Sequence, residues 1–265
     1  MRKKWLLRLL LLALMVLAAV GLDQRMIVRR YTIETDKLTA PIRLAVVADY
    51  HGCDYGDRFI PAIASLQPDA VLLVGDIFDD EIPWARSEAL VHGLAERYPC
   101  YYVTGNHEAR LSFHDYKKLE DGLYALGITV LRNEAVTVEK DGASITILGL
   151  DDPNFGNHIE PEKIDALAGE NGFSILLSHR PEYYDRYRVS TVNLALTGHV
   201  HGGQVRIPFI GGLIAPGQGL FPKYDAGLYK EGDFAMVVSR GIGNSAVPVR
   251  VNNQPEIVVI ELHKE

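Results

Sequence analysis

Cysteine is scarce: Cys53 and Cys100 are the only two in 265 residues. Two thiols cannot form a disulfide framework, so the fold must rest on a hydrophobic core. Whether the two pair is open at this level, and the simpler reading is two isolated thiols with at least one buried. An excess of positive charge is also missing. The net charge is −7 and no basic stripe is present, which argues against broad nucleic-acid binding, and no stable nucleic-acid partner is expected. There is no internal repeat and no low-complexity linker. The length suits one substantial core better than two independent domains.

Long apolar runs are absent except at the start. Arg2, Lys3 and Lys4 precede an uninterrupted apolar run over residues 9–22, which reaches back to Trp5 if Arg8 snorkels. Residues 1–22 therefore read as a membrane anchor or signal segment, with an uncleaved anchor favoured. Ala19-Val20-Gly21 offers a small-x-small cleavage site for the secreted alternative. The positive flank comes first, which places residues 23–265, read as a single domain, outside the cytoplasm.

The remainder alternates between two kinds of segment. Residues 27–33, 42–48, 70–74 and 100–103 read as strands, with 42–48 and 70–74 apolar enough to be buried. Residues 59–66 and 87–98 read as helices, the first stopped by Gln67-Pro68. Strand, polar loop and helix thus repeat, which implies a parallel sheet with its sites at the carboxyl ends of the strands. The second half is richer in strands. Asp141-Gly142 marks a hairpin, and strands are expected at 173–177, 194–196, 205–207, 234–239 and 257–262. The expected fold is mixed α/β: two mixed sheets face to face with helices outside, a four-layer αββα sandwich.

Five of the nine histidines, His51, His107, His179, His199 and His201, directly follow predicted strands. Asp49, Asp76 and Asn106 stand at strand ends too. A lone histidine there is more often a surface or satisfied core residue; five together with three oxygen ligands are not explained that way. In Asp49-x-His51 and His199-x-His201 the paired residues point to the same side of an extended chain. Imidazole, carboxylate and amide together suit manganese, iron, zinc or cobalt rather than calcium.

The ordered set Asp49-x-His51, Gly75-Asp76-x-x-Asp79, Gly105-Asn106-His107-Glu108, Ser178-His179 and Gly198-His199-x-His201 resembles the calcineurin-like metallophosphoesterases over residues 42–205. More loosely, Gly202-Gly203-Gln204 and residues 239–243 resemble a membrane-anchored bacterial branch containing UDP-diacylglucosamine hydrolase-like phosphodiesterases. The resemblance implies two divalent ions. One would be held by Asp49, His51 and His201, the other by Asn106, His179 and His199, with Asp76 bridging. It implies that His107 serves the leaving group as acid or charge stabiliser, and that Asp79 orients His107. The expected substrate is a phosphoester, small or lipid-linked, cleaved by a monomer.

Asp80 and Thr104 stand where the family's protein phosphatases have arginine, which speaks against a phosphoprotein substrate. Arg110 and Arg180 are either phosphate contacts or solvated surface residues, and Asp151-Asp152 either faces the site or, more simply, caps a turn. The competing functions are a catalytically silent metal-binding module of the cell envelope and a different metal hydrolase. Against the last, the His-x-His-x-Asp-His run of one such group is absent.

Overall fold

The computed structural model describes Trp5 and residues 21–55, 58–169, 172–244 and 248–265. The anchor expected over 1–22 therefore falls almost entirely outside the described residues. Among the described residues no helix is long and apolar enough to cross a membrane.

The first half runs β1 (Ile27–Thr35), β2 (Ile42–Val47), α1 (Phe59–Leu66), β3 (Ala70–Val74), α2 (Ala85–Ala95), β4 (Cys100–Val103), α3 (Phe113–Ala125) and β5 (Thr129–Val130). The second half begins with β6 (Glu134–Lys140), β7 (Ala143–Gly149), α4 (Pro161–Ala168), β8 (Phe173–Leu177), α5 (Tyr184–Arg188) and β9 (Leu194–Thr197). Four two-residue strands follow: β10 (Arg206–Ile207), β11 (Gly211–Gly212), β12 (Ile214–Ala215) and β13 (Gly219–Leu220). The chain closes with β14 (Gly227–Glu231), β15 (Phe234–Val238) and β16 (Glu256–Lys264).

Two six-stranded sheets form, in the orders β1-β16-β2-β3-β4-β5 and β14-β15-β9-β8-β7-β6. Both are mixed. β16 is antiparallel to β2 inside an otherwise parallel first sheet. In the second, only the edge strands β14 and β6 pair antiparallel. Alternation along the inner strands builds the layers. Leu44 and Val46 of β2 point into the core between the sheets, while Ala45 and Val47 point to the outer core under α1, α2 and α3. In β8, Ile175 and Leu177 face the inter-sheet core and Leu176 faces α4 and α5. This is the four-layer sandwich with helices outside, and strands buried on both faces explain the continuous apolar runs.

The helices are held by one stripe each. Phe59, Ile63 and Leu66 bury the inner face of α1, which ends on Gln67 in a left-handed conformation (φ 49°) before Pro68. α3 had no counterpart in the sequence reading. Its signals are nonetheless present: Ser112 Oγ accepts from the Asp115 N–H at 3.1 Å, and Tyr116, Leu119 and Leu123 fill the buried face.

The strand expected at 205–207 does not join either large sheet. Val205 forms one isolated bridge with Val251, and Arg206–Ile207 pairs with Gly211–Gly212 before Pro208, which cannot donate to a ladder, ends the strand. Cys53 and Cys100 are both free thiols, so the isolated-thiol reading holds.

Candidate metal centre

The sandwich gathers strand ends from both sheets onto one edge. Asp49 follows β2, Asp76 follows β3, Asn106 and His107 follow β4, His179 follows β8, and His199 and His201 follow β9. Backbone bonds stitch these turns together: the Asp49 N–H donates to Gly75 O (3.0 Å) and the His51 N–H to Asp76 O (3.1 Å). The packing leaves little room. A Cβ on Gly105 would lie 2.5 Å from the Asp76 backbone nitrogen, and one on Gly241 would lie 2.5 Å from Asp49 Cβ.

Two carboxylates sit at the centre, both buried. Asp49 is aimed by the His199 N–H, which donates to its Oδ1 and Oδ2 at 2.9 and 3.1 Å. Asp76 Oδ1 accepts from the His107 N–H at 2.9 Å, which leaves Oδ2 between two rings: 3.0 Å from His179 Nε2 and 3.7 Å from His51 Nε2. Asp49 Oδ1 lies 3.5 Å from His201 Nε2. Asp49, His51 and His201 thus bring one ligand atom each within 4.8 Å of one another, as do Asp76, His179 and His199.

Three buried atoms in this cluster lack a hydrogen-bond partner: His51 Nε2, Asn106 Oδ1 and His179 Nε2. Orphaned buried polar atoms are costly and need an occupant. The second nitrogen of each of these two rings is spoken for. His179 Nδ1 meets the Val74 carbonyl at 2.9 Å and His51 Nδ1 meets Asp79 Oδ2 at 2.8 Å, contacts that fix an Nδ1–H tautomer and free Nε2. The charge distribution also calls for a cation. Burial alone would lower the His179 pKa, yet Asp76 and Asp49 raise it to about 10. His199 and His201 are pushed well below the ordinary imidazole value, chiefly by burial, which keeps them neutral. These residues fit divalent ions with a mixed nitrogen and oxygen shell.

His107 stands beside the cluster, its ring centroid 4.7 Å from that of His51. Its Nδ1 lies 2.5 Å from Asp80 Oδ1 and 3.3 Å from Asp79 Oδ2. Asp79 is therefore shared between His51 and His107, and Asp80 is the nearer partner. Burial works against the charged ring, but Asp79, Asp76 and Asp80 together raise His107 to about 9. Burial would likewise raise Asp79, yet bonds from His107 and His51 hold it well below the usual carboxylate range.

A profile of the calcineurin-like phosphoesterases matches residues 42–203. The chain belongs to this family. Among relatives of this phosphoesterase, the metallophosphoesterase YkuE of Bacillus subtilis is 34% identical over 82% of this chain and 76% of its own. Phosphodiesterase YaeI of Escherichia coli is 31% identical over 84% of this chain and 83% of its own. Of solved structures, the NAD nucleotidase NadN of Haemophilus influenzae shares the fold, with a TM-score of 0.56 and 16% identity over 78% of this chain and 46% of that longer one. Membership makes the chain a phosphoester hydrolase.

The structure also shows what the motifs left unassigned. Glu108 is fully buried and its carboxylate accepts five bonds: from the N–H groups of Asp76, Ile77, Phe78 and Gly105, and from Tyr102 Oη. It ties the Asp76 turn to the Asn106 turn. Arg250 lies in no motif, yet among the described residues it is the largest fully buried side chain, donating to Arg240 O (2.7 Å) and Asn244 Oδ1 (3.0 Å) with Nη2 3.2 Å from His201 Nδ1. Arg180 is no surface residue. Asp152 grips it with two bonds, and its Nη1 lies 2.9 Å from His199 Nε2. Asp152 also caps a turn by accepting from the Asn154 N–H, so the capping reading holds alongside this second task. Arg110 is more exposed, 3.5 Å from His107 Nε2. His92, His114, His158 and His263 are all exposed and none takes part in the cluster.

Proposed function

We propose that the chain is a phosphodiesterase that uses two divalent ions, drawn from manganese, iron, zinc and cobalt. Asp49, His51 and His201 would hold one ion, Asn106, His179 and His199 the other, with Asp76 between them. The observation that carries this is the set of three buried lone-pair atoms without a hydrogen-bond partner, His51 Nε2, Asn106 Oδ1 and His179 Nε2, the two imidazole nitrogens lying 3.7 and 3.0 Å from the buried Asp76 Oδ2. Bound ions supply Lewis-acid activation of water and neutralise phosphate charge.

The chain's own residues do the rest. Asp80 and Asp79 hold the His107 Nδ1–H, which leaves Nε2 to give a proton to the departing oxygen. Arg110, beside that nitrogen, is placed to meet phosphate charge. Asp152 fixes Arg180 against His199 and so steadies that ring. A diester is favoured because the relative YaeI is named a phosphodiesterase. The apolar run over 9–22 supports a membrane-anchored enzyme, with its catalytic domain outside the cytoplasm, acting on a lipid-linked or nucleotide-sugar ester.

The test is hydrolysis of a generic diester and a generic monoester by full-length protein, with Mn²⁺, after chelation, and in Asp76→Asn and His107→Ala. Metal-dependent turnover lost in both variants supports the reading. Two ions bound per chain without turnover of any ester would point to a silent metal-binding module instead.

A further inference from the structure

Residues 206–221 carry an exposed apolar surface that packing does not explain. β10 and β11 form a hairpin with Pro208, Phe209 and Ile210 at its tip, and β12 and β13 form a second in which Ile214 faces Leu220 across the ladder. Phe209 is 108% exposed, Ile210 65% and Leu220 66%, with Ile214 and Phe221 also more than half exposed. The two hairpins are joined at Leu213: its N–H donates to Val205 O at 2.8 Å, and its carbonyl accepts from the Phe221 N–H at 2.8 Å. Phe209 and Phe221 both hold positive φ (68° and 52°), a conformation bulky side chains rarely adopt, so the backbone presents these rings outward against its own preference. Apolar clusters of this kind on a folded surface mark an interaction site.

Two neighbours say what covers it. The apolar run over 9–22 meets the folded domain at Gly21, whose carbonyl accepts from the Asn252 N–H at 2.7 Å. Asn252 Nδ2 in turn reaches Arg206 O at 3.3 Å, at the root of the first hairpin, and the Arg206 N–H donates to Val251 O at 2.9 Å. Gly21, near the end of the one long apolar run of the sequence, and Arg206, at the root of the first hairpin, thus bond to the adjacent residues Asn252 and Val251. The hairpins also grow from the turn that carries His201: the Leu213 N–H bonds Gly203 O at 3.1 Å, and Arg206 Nη1 bonds Gly202 O at 2.8 Å. Lys223 lies just beyond, a cation suited to anionic headgroups.

We propose that the tips of the two hairpins, Phe209, Ile210, Ile214, Leu220 and Phe221, insert into the surface of a lipid bilayer and seat the metal centre at the membrane interface. Aromatic and aliphatic side chains on an exposed rim, flanked by a cation, are the composition that partitions into the headgroup boundary. The surface does not depend on the phosphodiesterase reading, and its test reads position rather than turnover.

Full-length Phe209→Cys, Phe221→Cys and Tyr124→Cys proteins would each be labelled with an environment-sensitive fluorophore and reconstituted into phosphatidylcholine/phosphatidylglycerol vesicles. Cys53 is a free and only partly buried thiol, so the parent for all three variants carries Cys53→Ser and Cys100→Ala, which leaves the introduced cysteine as the one that reacts. The expected result is a several-fold emission rise at positions 209 and 221, with quenching by nitroxide on the acyl chains. Position 124, exposed on α3, should be quenched by aqueous iodide instead. Iodide quenching at 209 and 221 equal to that at 124 would overturn the proposal. So would protection from iodide without nitroxide quenching, since that would mean a protein partner or a second copy covers the hairpins.

Discussion

Replacing Glu108 by glutamine keeps the shape of one side chain and removes one acceptor. Oε1 receives Ile77 N–H (2.8 Å), Phe78 N–H (3.0 Å) and Tyr102 Oη (2.7 Å); Oε2 receives Asp76 N–H (2.9 Å) and Gly105 N–H (2.8 Å). The better amide orientation keeps the first three and turns an NH₂ toward the last two, so two charge-assisted bonds are lost. At roughly 1.5–3 kcal/mol each this comes to about 3–6 kcal/mol. An opposing effect reduces it: burial and the nearby Asp76 raise the Glu108 pKa, so the ionised carboxylate carries a desolvation penalty that glutamine does not. The expected loss is therefore near the lower end, about 3 kcal/mol, or a fall of about 6–12 °C in Tm for a chain of this size. The two abandoned N–H groups belong to the turns that place Asp76 and Asn106, so metal affinity should weaken in the same variant. Thermal unfolding with and without Mn²⁺, beside metal titration, measures both. A Tm within about 1 °C of the parent with unchanged metal affinity would refute the reasoning, because Glu108 would then be a neutral acid and the turns would be held by something else.

His107→Ala should lower kcat by about 10²–10⁴-fold while leaving metal content intact, with a smaller loss on esters whose leaving group needs no proton; steady-state kinetics on a pair of nitrophenyl and alkyl esters checks this. Asp80→Asn should give a milder loss of the same kind, and an Asp79→Asn effect of equal size on metal content would separate its hold on His51 from its hold on His107. Arg250→Met should destabilise by about 2–4 kcal/mol in denaturant titration, since it strips bonds from the Arg240 and Gly243 carbonyls and from Asn244 in a site closed to water. Gly105→Ala should abolish turnover in an assay where the protein still folds, because its methyl group would press on the backbone of Asp76.

The layers were legible because their physics is local. Strands such as β3 and β8 are apolar on both faces and end abruptly in glycine or serine, and the ligand residues Asp76 and His179 follow at once. α3 is hard to read from the sequence although its cap and its stripe of Tyr116, Leu119 and Leu123 are present, since the charged residues between them dilute the period. Residues 206–221 have no regular period at all. Their pairing is set by glycine contacts such as Gly203 on Gly212, which only the assembled turn reveals. Arg250 was invisible for another reason: its hydrogen-bond acceptors are two backbone carbonyls and an asparagine, distributed across a loop, so no spacing of charged residues announces it.

The backbone of the centre carries a further consequence. Asp49, His51, Asp76, His199 and His201 all hold positive φ, between 45° and 71°. A non-glycine residue in that region costs on the order of 1–3 kcal/mol, nearer the low end for aspartate and histidine, so five of them store about 5 kcal/mol. Backbone bonds across the turns offset part of this, and bound divalent ions would offset more. An ion at about a thousand times its dissociation constant stabilises the folded state by about 4 kcal/mol, or about 8–16 °C in Tm. Chelation should therefore lower Tm by that order, and Mn²⁺ should restore it. Asp76→Asn should start lower and respond little, having lost the carboxylate between the two sides of the cluster. If chelation stops turnover and Tm does not move, the turns keep their strained shape unaided, and the ions serve chemistry alone.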